Sequence, residues 1–195
     1  WVNCPRRQWP IYQEVRRLLL EKKGIKFYLS GQNWGLACNS IHYLDIFGWM
    51  SSSHLKSIDI SELDRKILKS KRQGFVEFAG TISATFTNHN KMSLTSTQKQ
   101  QDILIEIESE GLKIKINEST GDLEVISDEN SYSKSFLLPY QSDLTNLYVE
   151  QILGKHEVSL PDYSYSSAQH STMLKAFIDH LSGINKQHIE HCPIT

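Results

Sequence analysis

Between residues 75 and 138 the chain carries one β-strand signature after another. Residues 75–87 bring Val76 and Phe78, then Ile82, Ala84 and Phe86, into alternation. Ile103, Ile105 and Ile107 alternate with Leu104, Glu106 and Glu108, and Leu112, Ile114 and Ile116 alternate with Lys113, Lys115 and Asn117. A period of two sends one set of side chains to each face of a sheet. Glu110-Gly111 and Thr120-Gly121 are tight-turn signals, residues 92–97 alternate weakly, and residues 123–127 and 132–138 continue the run. Gly80 marks a bulge. Five or six consecutive strands in meander order make a largely antiparallel sheet, whose apolar face needs a cover.

Helices at both ends of the chain supply that cover. Pro10 suits a first helical turn, and Ile11, Val15, Leu18 and Leu19 make an amphipathic helix over residues 11–22, with Gly24 as its stop. Residues 25–29 read as a short strand, and residues 31–50 as a loop entering a long buried helix. Residues 55–60 read as a strand and residues 61–68 as a short helix. Asp143 is an N-cap for the stripe Leu144, Leu147, Tyr148 and Ile152, which Gly154 ends. After Leu160-Pro161 a longer helix turns Leu174, Phe177, Ile178 and Leu181 inward and ends at Gly183. The expected fold is α+β, a broad, largely antiparallel sheet with helices on one face. The open face carries Thr, Ser, Glu and Lys and is available to solvent or to a second copy of the chain.

Composition narrows the partners. With 195 residues, 21 basic against 22 acidic, and a net charge of −1, the chain suggests one domain and has no basic run with interleaved aromatics. Nucleic acid and anionic membrane are therefore poor partners. No apolar run reaches the ~20 residues a membrane helix needs. Cys4, Cys38 and Cys192 form no CxxC, so neither a disulfide framework nor a zinc site is expected, and a reducing, cytoplasmic compartment fits. His188, His191 and Cys192 cluster near the end, where a frayed polar tail is the plainer reading than a metal site. The first residues, Trp1-Val2-Asn3-Cys4, read as an internal start, the beginning of a piece of something larger.

Chemistry concentrates in residues 31–50. Leu36, Ala37, Ile41, Leu44 and Phe47 form an apolar stripe at helical spacing, and Cys38, Asn39, His42 and Asp45 are interleaved with it. Cys38 and His42 lie four apart and His42 and Asp45 three apart, which brings them near one face. These groups either line a pocket or satisfy one another in the core. Periodicity alone favours a buried His42 bonded to backbone. Arg6 and Arg7 read equally as a solvated pair or as ligand-reaching cations.

The segment resembles a pattern of the Gfo/Idh/MocA oxidoreductases, placed in their second domain at the start of a helix that faces the nicotinamide. Gly35 supplies a glycine at its head, His42 and Asp45 stand for its histidine and final aspartate, Cys38 takes the position of an aspartate and Ser40 that of a second glycine. Arg7-Gln8-Trp9-Pro10 with the following helix is similar to the segment that opens that domain, and Leu160-Pro161 with its helix to the one that closes it. Together these cover nearly the whole chain.

The resemblance implies a C-terminal domain, residues 1–195, of a larger NAD(P)-dependent oxidoreductase acting on a sugar-like or polyol-like CH–OH/C=O group. His42 is then the proton donor or acceptor. Trp34, Cys38, Asn39, Arg7 and Asn33 are the substrate-binding candidates, Arg6 and Gly35 the cofactor-binding ones, and Asp45 is structural. A thiol at position 38 cannot carry a carboxylate's charge or accept its strong hydrogen bonds, so the substrate is less rich in hydroxyls or Asn39 takes over its binding. The chain has no GxGxxG turn between a strand and a helix, and no E-K-P lysine. NAD or NADP is therefore expected to sit on an N-terminal Rossmann domain, absent from this chain, and not on this piece alone. Further partners are a carbohydrate-like small molecule and a second copy through the sheet face. The alternative is a non-catalytic ligand-binding or dimerisation scaffold that keeps the same fold.

Overall fold

The alternating strands build one eight-stranded sheet. The computed structural model describes residues 1–155 and 157–194. A 3-10 turn over Pro5–Gln8 leads into α1 (Pro10–Leu18), followed by β1 (Lys26–Gln32) and α2 (Leu36–Met50). Then come β2 (Leu55–Leu63), β3 (Leu68–Lys69), β4 (Val76–Glu77), β5 (Gly80–Phe86) and β6 (Lys91–Thr97). The meander β7 (Leu104–Ser109), β8 (Leu112–Asn117), β9 (Asp122–Ser127) and β10 (Tyr132–Ser135) precedes α3 (Gln141–Lys155) and α4 (Tyr163–Asn185). The sheet order is β10-β9-β8-β7-β1-β6-β5-β2, antiparallel except for the β1–β6 pair; β3 and β4 form a separate hairpin.

The α+β architecture agrees with the sequence, and one strand changes the topology. The short strand before α2 does more than deliver the chain: β1 enters the centre of the sheet, parallel to β6 and antiparallel to β7. It splits what the sequence presents as a continuous meander. Phe27 and Leu29 explain its place, since both are fully buried and face Ile105 and Ile107 across one pair and Met92 and Leu94 across the other. Burying each such side chain is worth about 1.5–3 kcal/mol.

Residues 61–68 differ from expectation as well. They are not a helix: β2 continues to Leu63, which is buried opposite Gly80, and the chain then turns into the β3–β4 hairpin. The register shifts lie in β2, while Gly80 has φ +97° and a Cβ there would stand 2.9 Å from the Leu63 Cα. Glycine is thus needed because the β2 backbone passes so close. The expected turns at Gly111 (φ +67°) and Gly121 (φ +75°) are present.

The helices cover one face. Tyr12 and Val15 of α1, Leu36, Leu44 and Phe47 of α2, and Met173 and Phe177 of α4 join the inward sheet residues in one core. On the other face Lys113 pairs with Glu106 and Glu108, and Lys115 with Glu124. Tyr28 and Ile126 are exposed on that face. Asp143 works three residues inside α3, where its carboxylate accepts from the Tyr140 N–H. The C-terminal stretch is anchored where a frayed tail was expected: Pro193 accepts from the Val76 N–H and Ile189 donates to Ser182. No helix of the described residues is long and apolar enough to cross a membrane.

Candidate functional site

Position 35 sets the entry of α2. Gly35 has φ +83°, and a Cβ there would meet Asn39 Nδ2 at 2.7 Å and Cys38 Sγ at 2.8 Å. Any other residue pays the left-handed cost of about 1–2 kcal/mol and pushes both side chains away. Gly35 offers no side-chain cap, and a carboxylate from another element replaces it. Glu77 on β4 accepts from the N–H of Ala37 at 2.8 Å and of Cys38 at 3.1 Å. A carboxylate across the first turn satisfies two orphan donors and the positive end of the helix dipole.

The stripe Leu36, Ala37, Ile41, Leu44 and Phe47 is buried as expected, and the interleaved residues part company. Asn33, Trp34, Gly35, Cys38, Asn39 and His42 line one side of a cleft of ≈ 810 Å³. The hairpin residues Leu68 to Arg72 line it as well, together with Glu77 and Phe78, and so do Ser96 of β6 and Gln98 just past its end. Asp45 turns elsewhere: its two oxygens take Arg7 Nη2 at 2.6 Å and Nε at 2.9 Å.

His42 is the titratable ring in this cleft. Its Nδ1 is buried and has no hydrogen-bond partner among the described residues. Burial first, then the Arg6 guanidinium and His170, push its pKa down to about 4. The imidazole is therefore neutral near pH 7, and a neutral imidazole can take a proton.

The other predicted residues fall into two groups. Asn39 donates from Nδ2 to the Trp34 carbonyl at 2.6 Å, and Cys38 Sγ reaches the Gly35 carbonyl at 3.6 Å, so both brace the pre-helix turn while lining the cleft. Trp34 is only 7% exposed; its indole N–H donates to the Thr95 carbonyl and its ring meets Tyr43 edge-on. Arg6 and Arg7 do not line this cleft. Arg6 grips Glu118 through Nε and Nη2, both at 3.0 Å, donates to the Tyr43 hydroxyl and lies over the Trp9 and Tyr43 rings. Burial works against the Glu118 charge, yet Arg6 and the Tyr12 and Tyr43 hydroxyls hold its carboxyl below the usual range. Asp45 is pushed up by burial while Arg7 pulls it back. Glu77, Lys69, Lys71 and Arg72 are cleft residues the sequence reading passed over. Three cations within residues 69–72 were the available signal. No group of His, Cys, Asp and Glu among the described residues could hold a metal.

Neither a protein-family model nor a curated protein matches the sequence. Solved structures do. UDP-N-acetylglucosamine 3-dehydrogenase GnnA from Acidithiobacillus ferrooxidans matches with a TM-score of 0.66 at 9% identity, over 88% of this chain and 57% of that one. The super-repressor mutant of Gal80p from Saccharomyces cerevisiae gives 0.62 at 12%, over 93% and 63%. The dehydrogenase MviM from Clostridium difficile gives 0.56 at 16%, over 95% and 60%. The chain has the C-terminal fold of the Gfo/Idh/MocA-type oxidoreductases. It spans about three fifths of the length of these structures. On this Gfo/Idh/MocA fold, the segment that carries the resemblance in sequence forms the His42 wall of the cleft.

Proposed function

We propose that this chain is the substrate-binding and oligomerisation domain of an NAD(P)-dependent oxidoreductase acting on a sugar-like or polyol-like CH–OH/C=O group. One observation carries the reading: His42 lines an open cleft, and its buried Nδ1 has no hydrogen-bond partner among the described residues. Oxidation of a carbinol releases hydride from carbon and a proton from oxygen. His42 takes that proton, and returns it to the carbonyl oxygen in the reverse direction. Asn39 and Asn33 line the same cleft, and in this reading their amides hold substrate hydroxyls.

The described residues do not fit a whole dinucleotide. The N-terminus of α2, the natural place for a pyrophosphate, is filled by Glu77, and Arg6 is committed to Glu118. NAD or NADP therefore belongs on a separate Rossmann half that closes the cleft, and supplies the hydride acceptor. This chain binds and orients the substrate and handles its proton.

The direct test presents the full-length protein with NAD⁺ or NADP⁺ and a panel of free sugars, polyols, sugar phosphates and nucleotide sugars. Substrate-dependent nicotinamide reduction is expected. Binding of a sugar with no reduction on either cofactor favours the second reading, a ligand-responsive scaffold. That reading draws on Cys38 at the aspartate position and on the fold shared with Gal80p, a repressor by its description.

A further inference from the structure

The cleft that His42 lines is also lined by a small hairpin of unusual charge. Lys69, Lys71 and Arg72 are exposed, line the cleft and have no ion-pair partner among the described residues. Glu77 is the carboxylate on the lining, and both its oxygens are taken by the Ala37 and Cys38 N–H groups. The cleft is thus left with three cations that no carboxylate among the described residues pairs with.

The hairpin is also held in place. On one side Glu77 clasps it to α2; on the other the Val76 N–H donates to the Pro193 carbonyl at 2.8 Å. Its own turn is closed by the Ser70 N–H on the Phe75 carbonyl at 3.1 Å and the Arg72 N–H on Ser70 Oγ at 3.3 Å. Cations on a pre-ordered turn lose less freedom on binding than cations on a loose one. A volume of ≈ 810 Å³ lies in the upper part of the ~300–1,000 Å³ range of small-molecule pockets, with room for more than a single sugar ring.

We propose that the hairpin from Leu68 to Glu77 is an anion grip, in which Lys69, Lys71 and Arg72 hold a phosphate-bearing group of a ligand whose other end lies against His42. Arg72 offers a planar fork for two phosphate oxygens, and the lysines offer point charges beside it. This deepens the proposed function by naming the substrate class, a phosphorylated or nucleotide-linked sugar, and it rests on that reading. The same chemistry could be presented by the 2′-phosphate of NADP, so the test separates the two.

The probe is inorganic pyrophosphate, titrated calorimetrically into the full-length protein and into the triple variant Lys69→Glu, Lys71→Glu, Arg72→Glu. All three side chains are exposed, so folding should persist, and circular dichroism checks it. Expected is binding that weakens with added salt and falls at least about tenfold in the variant. Lys113→Ala with Lys115→Ala, on the open sheet face, should leave it unchanged. Glucose 1-phosphate and NADPH are then titrated: a loss for the sugar phosphate assigns the grip to substrate, a loss for NADPH alone assigns it to cofactor and overturns the substrate class. Equal pyrophosphate binding by parent and variant overturns the grip altogether. Binding needs no turnover, so the grip can fail while sugar oxidation persists, and can hold where oxidation is absent.

Discussion

The Glu77 carboxylate reaches 2.8 Å to the backbone nitrogen of Ala37, and its second oxygen takes the next amide in line. A residue from a two-residue strand thus caps the helix that carries His42. Side-chain capping contributes about 0.5–2 kcal/mol. Glu77→Ala should lower the unfolding free energy by about that amount and speed hydrogen exchange at Ala37 and Cys38. Glu77→Gln keeps one good acceptor and should do less. Unchanged exchange at both amides in Glu77→Ala would show that the cap is not formed in solution.

Arg7 and Asp45 make a second prediction. The pair is bidentate and largely buried, with side-chain exposures of 11% and 1%. Removing one member of a buried pair strands the other and costs about 3–5 kcal/mol. Asp45→Ala should show that loss in urea denaturation. A variant of normal stability that binds ligand poorly would return Arg7 to the ligand, where the sequence first placed it.

His42 titrates in the direction burial dictates. Its folded pKa is down to about 4, below the ordinary value of 6.5. The unfolded chain therefore gains this proton first as pH falls. The stability due to a neutral His42 is complete above pH ~6.5 and is lost progressively down to pH ~4, by about 3 kcal/mol in all at ~1.4 kcal/mol per unit. His42→Asn should flatten the pH dependence of stability in that window. Observed directly, the ring resonances should titrate below pH 5; a midpoint near 6.5 would mean the ring is solvated.

Much of the fold was legible because β alternation and helical stripes are local signals. The inward set Ile105, Ile107, Ile114 and Ile116 is fully buried. The place of β1 was not legible, since a strand's alternation says which face is buried and not which neighbour it finds. Of the site, the His42 wall was visible because its residues lie in one short stretch, the turn at residues 33–35 and the first turns of α2. The rest of the lining comes from a hairpin some thirty residues on in the chain, tied to α2 by Glu77. The pairing of Arg6 and Arg7 was not legible either, because their carboxylate partners, Glu118 and Asp45, lie far off in sequence and only folding brings them together.

The proton role of His42 is tested most directly by chemical rescue. In the full-length protein, with a substrate that reduces nicotinamide, His42→Ala should slow single-turnover hydride transfer by roughly two to four orders of magnitude. Because the ring lines an open cleft, added imidazole should restore part of that rate, more as pH rises and the free base accumulates. A variant that transfers hydride as fast as the parent, with no response to imidazole, would contradict the assignment.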